Sequence, residues 1–222
     1  MSTYVLMRIL ESAPARYDKG LRILTMGKVD AAYDRLTSRV QAGQMVLDLG
    51  CGTGALALRA AHKGAKAKGI DVNPQMLEIA RHRAEEANLT HNVEFSQQGV
   101  AELGSEEPQS YDVIMSGLCF SELSEDEVTY TLQEVGRILK PGGLLLLADE
   151  VRPERLGKRV LHGLTRFPLS IVAYLVAQTT TRAVRDLPQK IEEAGLLVES
   201  VRLNTMESFL ELVARKPGEL AR

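Results

Sequence analysis

The sequence is poor in the features that build disulfide frameworks, metal centres and membrane spans. It has 2 cysteines and 4 histidines in 222 residues, and its net charge is only -2. So few cysteines predict reduced thiols and a cytoplasmic protein. The histidines lack ligand spacing, which predicts no metal site. The balanced charge argues against nucleic acid as a partner. The most apolar segment, residues 169–177, is too short to span a membrane.

What the sequence does contain is a glycine-rich stretch at residues 46–55, Val-Leu-Asp-Leu-Gly-Cys-Gly-Thr-Gly-Ala. A short apolar run enters three alternating glycines and a helical pattern follows, which predicts a strand, a tight turn and a helix start. Asp71 ends a second predicted strand, 21 positions after Gly50. Glycine lets the backbone approach a ligand closely, and an acidic residue at that second position can accept hydrogen bonds from ribose hydroxyls. The pair predicts a nucleoside-binding site.

Two nucleoside cofactors fit this pattern. The spacing Gly50-x-Gly52-x-x-Ala55 satisfies the relaxed fingerprint of dinucleotide-binding proteins. Asp48 favours S-adenosylmethionine instead, because a carboxylate beside the glycines would repel a pyrophosphate but suits an ammonium group. S-adenosylmethionine carries adenosine and an amino acid head, and it has no phosphate. A third reading is a structural glycine turn in another α/β fold.

Residues 48–54 together with Asp71 resemble the cofactor motif of the class I S-adenosylmethionine-dependent methyltransferases. The resemblance implies S-adenosyl-L-methionine as cofactor and S-adenosyl-L-homocysteine as product. It also implies a set of cofactor-binding residues: Asp48, Gly50, Cys51, Gly52, Gly54, Asp71, Val72, Met76, Gly99, Val100, Ala101, Ser116 and Gly117. Related enzymes commonly have an acidic residue where this chain has Val100. Either Glu102 or a backbone carbonyl accepts the adenine amino hydrogen here, or apolar packing holds adenine.

The order of apolar segments predicts an α/β fold. Strands are expected at residues 45–49, 65–70, 93–96, 111–115 and 144–149, with helices at 55–62, 74–87 and 125–139. Residues 140–143, Lys-Pro-Gly-Gly, are expected to form a turn, and residues 198–203 and 208–214 two closing strands. This pattern predicts a doubly wound, seven-stranded, mostly parallel sheet with an antiparallel C-terminal hairpin.

The whole chain, residues 1–222, is expected to form a single methyltransferase domain. Residues 1–40 would supply N-terminal capping helices, and residues 41–150 the cofactor-binding core. A helical lid insertion would follow at residues 151–189, before the closing hairpin at residues 190–222. An apolar lid with basic edges would suit a bulky hydrophobic or anionic acceptor.

The expected chemistry is an in-line displacement of the sulfonium methyl group by an acceptor, and three side chains are candidate general bases. Tyr17 resembles a tyrosine of the capping helix in the ubiquinone and menaquinone biosynthesis branch of the family. Glu122 follows the fourth strand. It would act as a base if desolvation raised its pKa, or else it would cap the helix that starts near Ser124. Asp149, at the end of the fifth strand, is the third candidate.

A narrower resemblance concerns residues 4–18, 115–122 and 178–181, which are similar to the corrinoid protein-associated methyltransferases. It implies a corrinoid protein as a partner. Three hypotheses remain open at this point. The first is methyl transfer to a small-molecule acceptor, such as a quinone or a corrinoid-pathway component. The second is methylation of, or docking on, a corrinoid protein. The third is an accessory protein that binds the cofactor without methyl transfer.

Overall fold

The computed structural model describes residues 28–151, 184, 186–205 and 207–218. Two parts of the expected organisation lie largely outside these residues. They are the N-terminal capping helices, including Tyr17, and the lid insertion. The stretches at residues 4–18 and 178–181, on which part of the corrinoid resemblance depends, lie outside them as well.

The described chain is built on a seven-stranded sheet in the order β3-β2-β1-β4-β5-β7-β6. Its strands are β1 (Met45–Leu49), β2 (Lys66–Asp71), β3 (Val93–Gln97), β4 (Tyr111–Gly117), β5 (Leu139–Glu150), β6 (Leu197–Leu203) and β7 (Phe209–Arg215). Strands β1 to β5 run parallel, whereas β7 is antiparallel to both β5 and β6. The predicted mostly parallel sheet with an antiparallel C-terminal hairpin is confirmed.

Helices cover both faces of the sheet because side chains alternate along each buried strand. The helices are α1 (Lys28–Thr37), α2 (Ala55–His62), α3 (Pro74–Glu86), α4 (Glu125–Ile138) and α5 (Leu187–Glu193). Val46 of β1 belongs to the apolar cluster that contains side chains of α1, α2 and α3. Its neighbour Leu47 belongs to the cluster that contains side chains of α4 and α5. The sheet is therefore doubly wound, as predicted.

The start of α3 shows how local sequence positions the carboxyl end of β2. The Asn73 side chain accepts hydrogen bonds from the backbone N–H groups of Gln75 and Met76, and Pro74 occupies the first turn. An asparagine cap followed by proline is a favoured helix start, since proline has no N–H to leave unpaired there. This start fixes Asp71 at the end of β2, two residues before the cap.

The turn predicted at residues 140–143 is a bulge inside a strand. Strand β5 begins at Leu139, which pairs with Tyr111, and the register then shifts so that Leu144 pairs with Val113. Gly142 has a φ of 78° and its N–H donates to the Lys216 carbonyl oxygen at 3.0 Å. The predicted boundary at residue 144 was wrong because this pairing comes from a segment distant in sequence, which supplies hydrogen bonds that a local pattern does not record.

In the part of the chain that the structure describes, no helix is both long enough and apolar enough to cross a bilayer.

Candidate active site

The glycine-rich stretch forms a tight connection between β1 and α2. Gly50 and Gly52 have φ values of 63° and 51°, in the left-handed region that glycine adopts without strain. A Cβ atom at Gly50 would lie 2.6 Å from Cys119 Sγ, so glycine is also required for packing. A Cβ at Gly52 would meet no protein atom within 4 Å. Gly52 thus leaves its backbone open to a ligand.

Asp71 connects the end of β2 to this loop. Its Oδ2 accepts a hydrogen bond from the Gly52 N–H at 2.8 Å, and its Oδ1 accepts one from the Asn73 N–H at 2.8 Å. An ionised carboxylate has about four lone-pair sites, so these two bonds leave acceptor capacity for ribose hydroxyls. Beside it, the Val72 side chain is 68% exposed, which places an apolar surface next to that acceptor.

A cavity of about 620 Å³ lies at the carboxyl ends of β1, β2 and β4, where open α/β sheets bind their ligands. Nine of the predicted cofactor-binding residues line it: Gly50, Gly52, Asp71, Val72, Met76, Gly99, Val100, Ala101 and Gly117. Four do not: Asp48, Cys51, Gly54 and Ser116. Of the candidate bases, Glu122 lines the cavity and Asp149 does not, while Tyr17 lies outside the described residues.

The charged side chains that line the cavity are all acidic. They are Asp71, Glu102, Glu122 and Glu127, and the described lining contains no lysine or arginine. Carboxylates grouped in a cleft create a negative potential that attracts cations and repels phosphates. The lining therefore suits a sulfonium cofactor and disfavours a dinucleotide. The expectation of a hydrophobic or anionic acceptor came from the lid insertion, which lies largely outside the described residues.

Asp48 lies behind the glycine loop, 1% exposed. Its Oδ2 accepts a hydrogen bond from the Ala57 N–H in α2 at 2.9 Å, and its Oδ1 is buried and has no hydrogen-bond partner among the residues that the structure describes. Burial raises the pKa of Asp48 to about 8, the Ala57 N–H opposes the rise, and the Asp71 charge adds to it. Its position in the fold thus differs from the cavity-facing one that the sequence suggested.

The segment predicted to hold adenine follows β3. A 3₁₀ turn at Val100–Ser105 begins after Gly99, and Glu102 Oε1 accepts a hydrogen bond from the Gly99 N–H at 3.4 Å. Val100 and Glu102 both line the cavity. Two of the three alternatives left open by the sequence, apolar packing by Val100 and acceptance by Glu102, are therefore compatible with this lining, and acceptance by a backbone carbonyl stays a prediction.

The other wall of the cavity follows β4, where a second 3₁₀ turn spans Phe120–Glu122. Ser124 begins α4 as its cap and forms a reciprocal capping box with Glu127. The alternative in which Glu122 caps this helix was therefore wrong. Ser116 donates from its hydroxyl to the Leu49 carbonyl oxygen at 3.0 Å, which joins β4 to β1 behind the cavity.

Sequence reasoning missed the contact of Tyr33 with this wall. Tyr33 projects from α1, is 5% exposed, and its hydroxyl oxygen lies 2.3 Å from where a Cβ atom at Gly117 would stand. Arg59 of α2 lies over the Tyr33 ring at 5.8 Å and donates to Asp30 and Asp34 of α1. The only local signal was the helical spacing of Tyr33, which is shared by ordinary core positions.

Within the described ranges, no group of three or more histidine, cysteine, aspartate or glutamate side chains is arranged to hold a metal ion. Both cysteines are free thiols. The site's polar groups are thus a carboxylate at the end of β2, half-buried backbone at Gly52 and an acidic rim. These groups fit a cofactor that combines a ribose with a cationic sulfur and an ammonium group.

Comparison with known proteins agrees with this geometry. A family profile described as a methyltransferase domain matches residues 46–143. A demethylmenaquinone methyltransferase of Tropheryma whipplei is 30% identical over 181 residues, which cover 80% of this chain and 72% of that protein. A ubiquinone/menaquinone biosynthesis C-methyltransferase of Rhizobium leguminosarum bv. trifolii is 32% identical over 149 residues, which cover 64% of this chain and 57% of that protein.

A solved structure gives the same fold. A chain from the complex between a Haloferax volcanii methyltransferase activator and a methyltransferase superposes with a TM-score of 0.72 at 21% identity, covering 98% of this chain and 100% of that one. Identity at this level shows the fold alone. Taken with the relatives, the fold and the cavity define an α/β methyltransferase. The chain belongs to the class I S-adenosylmethionine-dependent methyltransferases, and its cofactor is S-adenosylmethionine.

Proposed function

We propose that this protein transfers the methyl group of S-adenosylmethionine to a bulky, uncharged small molecule of the quinone type. The observation that carries the proposal is the cavity, in which a ribose-binding end at Asp71 continues into a wall at Gly117, Leu118 and Leu123 with no basic side chain in the described lining. The name of the Tropheryma whipplei relative supports a quinone-class acceptor.

Different residues of the cavity would bind different parts of the cofactor. Asp71 would accept hydrogen bonds from the ribose hydroxyls, and Val72, Met76 and Val100 would pack against adenine. The open backbone at Gly52 would allow close approach of the amino acid part. Bound there, S-adenosylmethionine supplies a methyl group already activated on a cationic sulfur. The protein's task is then to position the acceptor and exclude water.

Glu122 is the proposed general base. Its carboxylate lines the cavity beside Cys119 and Leu123, so it is placed to take the proton that the acceptor carbon or hydroxyl loses as it gains a methyl group. Glu122→Gln keeps the size of the side chain and removes its basicity. We expect the rate of transfer to fall by at least about a hundredfold while the dissociation constant of S-adenosylhomocysteine changes little.

The cofactor is tested first, by calorimetric titration of S-adenosylmethionine, S-adenosylhomocysteine and NADH into the wild type and Asp71→Ala. We expect binding of the first two, lost in the variant, and no binding of NADH. The acceptor is tested next with methyl-labelled S-adenosylmethionine and a reduced demethylmenaquinone with a short side chain. Label extracted into organic solvent supports the proposal, and cofactor binding without transfer to this acceptor would refute the quinone class.

A corrinoid-protein partner is a second proposal. What supports it among the described residues is the resemblance at residues 115–122, a stretch that includes the cavity-lining Gly117, Leu118, Cys119 and Glu122. The same labelled cofactor, incubated with a corrinoid-loaded carrier protein instead of the quinol, tests it. Label on the carrier would favour this partner, and label on the quinol alone would exclude methyl transfer to it. We also propose a cytoplasmic location, in keeping with the free thiols of Cys51 and Cys119.

A further inference from the structure

We propose that Asp149 is a positioning residue that holds the Phe120–Glu122 turn against the cavity, so that Glu122 and Cys119 form part of its wall. The inference deepens the proposed function, on which it rests for the identity of the cavity's ligand. It replaces the expectation that Asp149 is itself a general base.

The contacts of Asp149 carry the argument. The residue is 0% exposed at the carboxyl end of β5. Its Oδ2 accepts a hydrogen bond from the Phe120 N–H at 2.7 Å, and its Oδ1 accepts from the Ser121 N–H at 3.3 Å and the Glu150 N–H at 2.7 Å. Both carboxylate oxygens thus accept backbone N–H groups, and Asp149 does not line the cavity.

The turn depends on these bonds. Phe120 and Ser121 are 0% and 7% exposed, so water does not readily replace a lost partner of their N–H groups. The turn is a 3₁₀ element, and the first N–H groups of such an element have no partner within it. Asp149 supplies that partner from the neighbouring strand. Asp149 therefore caps the turn in the way that an N-cap residue caps a helix, but from the neighbouring strand β5.

The chain that enters the turn is strained. Leu118 has a φ of 63°, a left-handed conformation that is unfavourable for a branched side chain. Its N–H donates to the Ala148 carbonyl oxygen at 2.8 Å, and its side chain is 3% exposed. Such a conformation persists only where the surroundings hold it. Ala148 holds the start of the strained segment and Asp149, the next residue of β5, holds its end.

The test compares Asp149→Asn with a matched control at the opposite end of the sheet. Asp112 also accepts a backbone N–H, from Met45 at 2.8 Å, and an ammonium hydrogen bond from Lys140 at 2.8 Å, but it does not line the cavity. Asp149→Asn replaces one accepting oxygen with an amino group that cannot accept. Asp112→Asn makes the same chemical change away from the cavity.

Two readouts are measured on the full chain. Amide hydrogen exchange at Phe120 and Ser121 is expected to accelerate at least about tenfold in Asp149→Asn, with Met45 unchanged. The dissociation constant of S-adenosylhomocysteine is expected to rise at least about fivefold. In Asp112→Asn we expect faster exchange at Met45 and unchanged affinity for S-adenosylhomocysteine. A merely structural role of Asp149 would leave the two variants alike in affinity.

The proposal is overturned if the Phe120 and Ser121 amides exchange at the wild-type rate, or if they exchange faster while the affinity stays at the wild-type value. Should Asp149→Asn fail to fold, Asp149→Glu keeps the charge and both accepting oxygens but moves them by one methylene length relative to the N–H groups of Phe120 and Ser121. It should move both readouts in the same direction by less, and wild-type values in both would overturn the proposal. If the wild type binds no S-adenosylhomocysteine, the proposed function fails, and the exchange rates alone decide the role of Asp149.

Discussion

The buried carboxyl group of Asp48 makes the stability of the protein depend on pH. Burial raises its pKa from 3.8 to about 8, so the folded chain keeps this proton up to a higher pH than the unfolded chain does. The stabilisation is fully present below pH 3.8 and is lost as the pH rises to about 8. Each pH unit inside this window removes about 1.36 kcal/mol, so the three units from pH 5 to pH 8 remove about 4 kcal/mol.

Asp48→Asn removes the ionisation and keeps an oxygen that can accept the Ala57 N–H. Urea unfolding at several pH values is the assay. At pH 5 we expect the variant and the wild type to differ by no more than about 2 kcal/mol in the free energy of unfolding. By pH 8 the variant should have gained about 4 kcal/mol relative to the wild type, because only the wild type must take up a proton when it folds from its ionised unfolded state.

Glu106→Gln serves as the control. Burial alone would raise the pKa of Glu106, but hydrogen bonds from Lys68 and Tyr111 outweigh it and hold the pKa below its ordinary value of 4.5. Its contribution is present above that value and is lost as the pH falls. The control should therefore lose stability equally at pH 5 and pH 8. If the free energy of unfolding of Asp48→Asn differs from that of the wild type by the same amount at pH 5 and pH 8, as it should for the control, then burial does not raise the pKa of Asp48.

Three further substitutions test single contacts. Gly52→Ala should cost only about 1 to 2 kcal/mol of stability, which is the strain of a left-handed alanine. It should weaken cofactor binding in calorimetry more than about tenfold, because its Cβ faces the open cavity. Unchanged affinity would contradict the placement of the cofactor against Gly52. Gly117→Ala should lower the free energy of unfolding by about 1 to 3 kcal/mol through collision with Tyr33, and Tyr33→Leu in the same chain should recover part of that loss in urea titrations. Asn73→Ala should cost about 1 kcal/mol by removing the cap of α3, and a thermal midpoint equal to the wild type would show the cap to be dispensable.

The elements of the core could be predicted because their signals are local. An apolar run entering glycines predicted β1, and the Asn73-Pro74 pair predicted the start of α3 at the residue where the structure has it. The alternating series of strands and helices predicted the doubly wound sheet, since parallel strands need crossovers and right-handed crossovers in opposite directions from β1 lie on opposite faces. Nine of the residues expected at the cofactor also line one cavity, because the ends of parallel strands converge at one edge.

What could not be predicted depends on contacts between distant segments. Tyr33 packs on Gly117 across 84 positions of sequence, and nothing in the pattern of α1 separates this tyrosine from an ordinary core residue. Asp149 reads as a candidate base at a strand end, and only its bonds to Phe120 and Ser121 reveal that its oxygens are already engaged. Residue type shows which reactions and hydrogen bonds a side chain is capable of. Its burial and its hydrogen-bond partners determine whether it acts as a base or as a structural acceptor.

Three carboxylates around this site share one structural role, which is to accept backbone N–H groups. Asp48, Asp71 and Asp149 each lie at or near the carboxyl end of a strand and accept a backbone N–H. The donors of Asp71 and Asp149 are Gly52 and the Phe120–Glu122 turn at the cavity, and the donor of Asp48 is Ala57 in the helix that follows the glycine loop. Backbone held in this way is ordered before a ligand arrives, so binding loses less conformational entropy. Burial of Asp48 and Asp149 costs stability at neutral pH, and functional sites commonly lose stability in this way for the sake of an ordered geometry. Removal of the ionisable group at Asp48 should therefore stabilise the chain near pH 8, while removal of the Asp149 contacts should loosen the Phe120–Glu122 wall of the cavity.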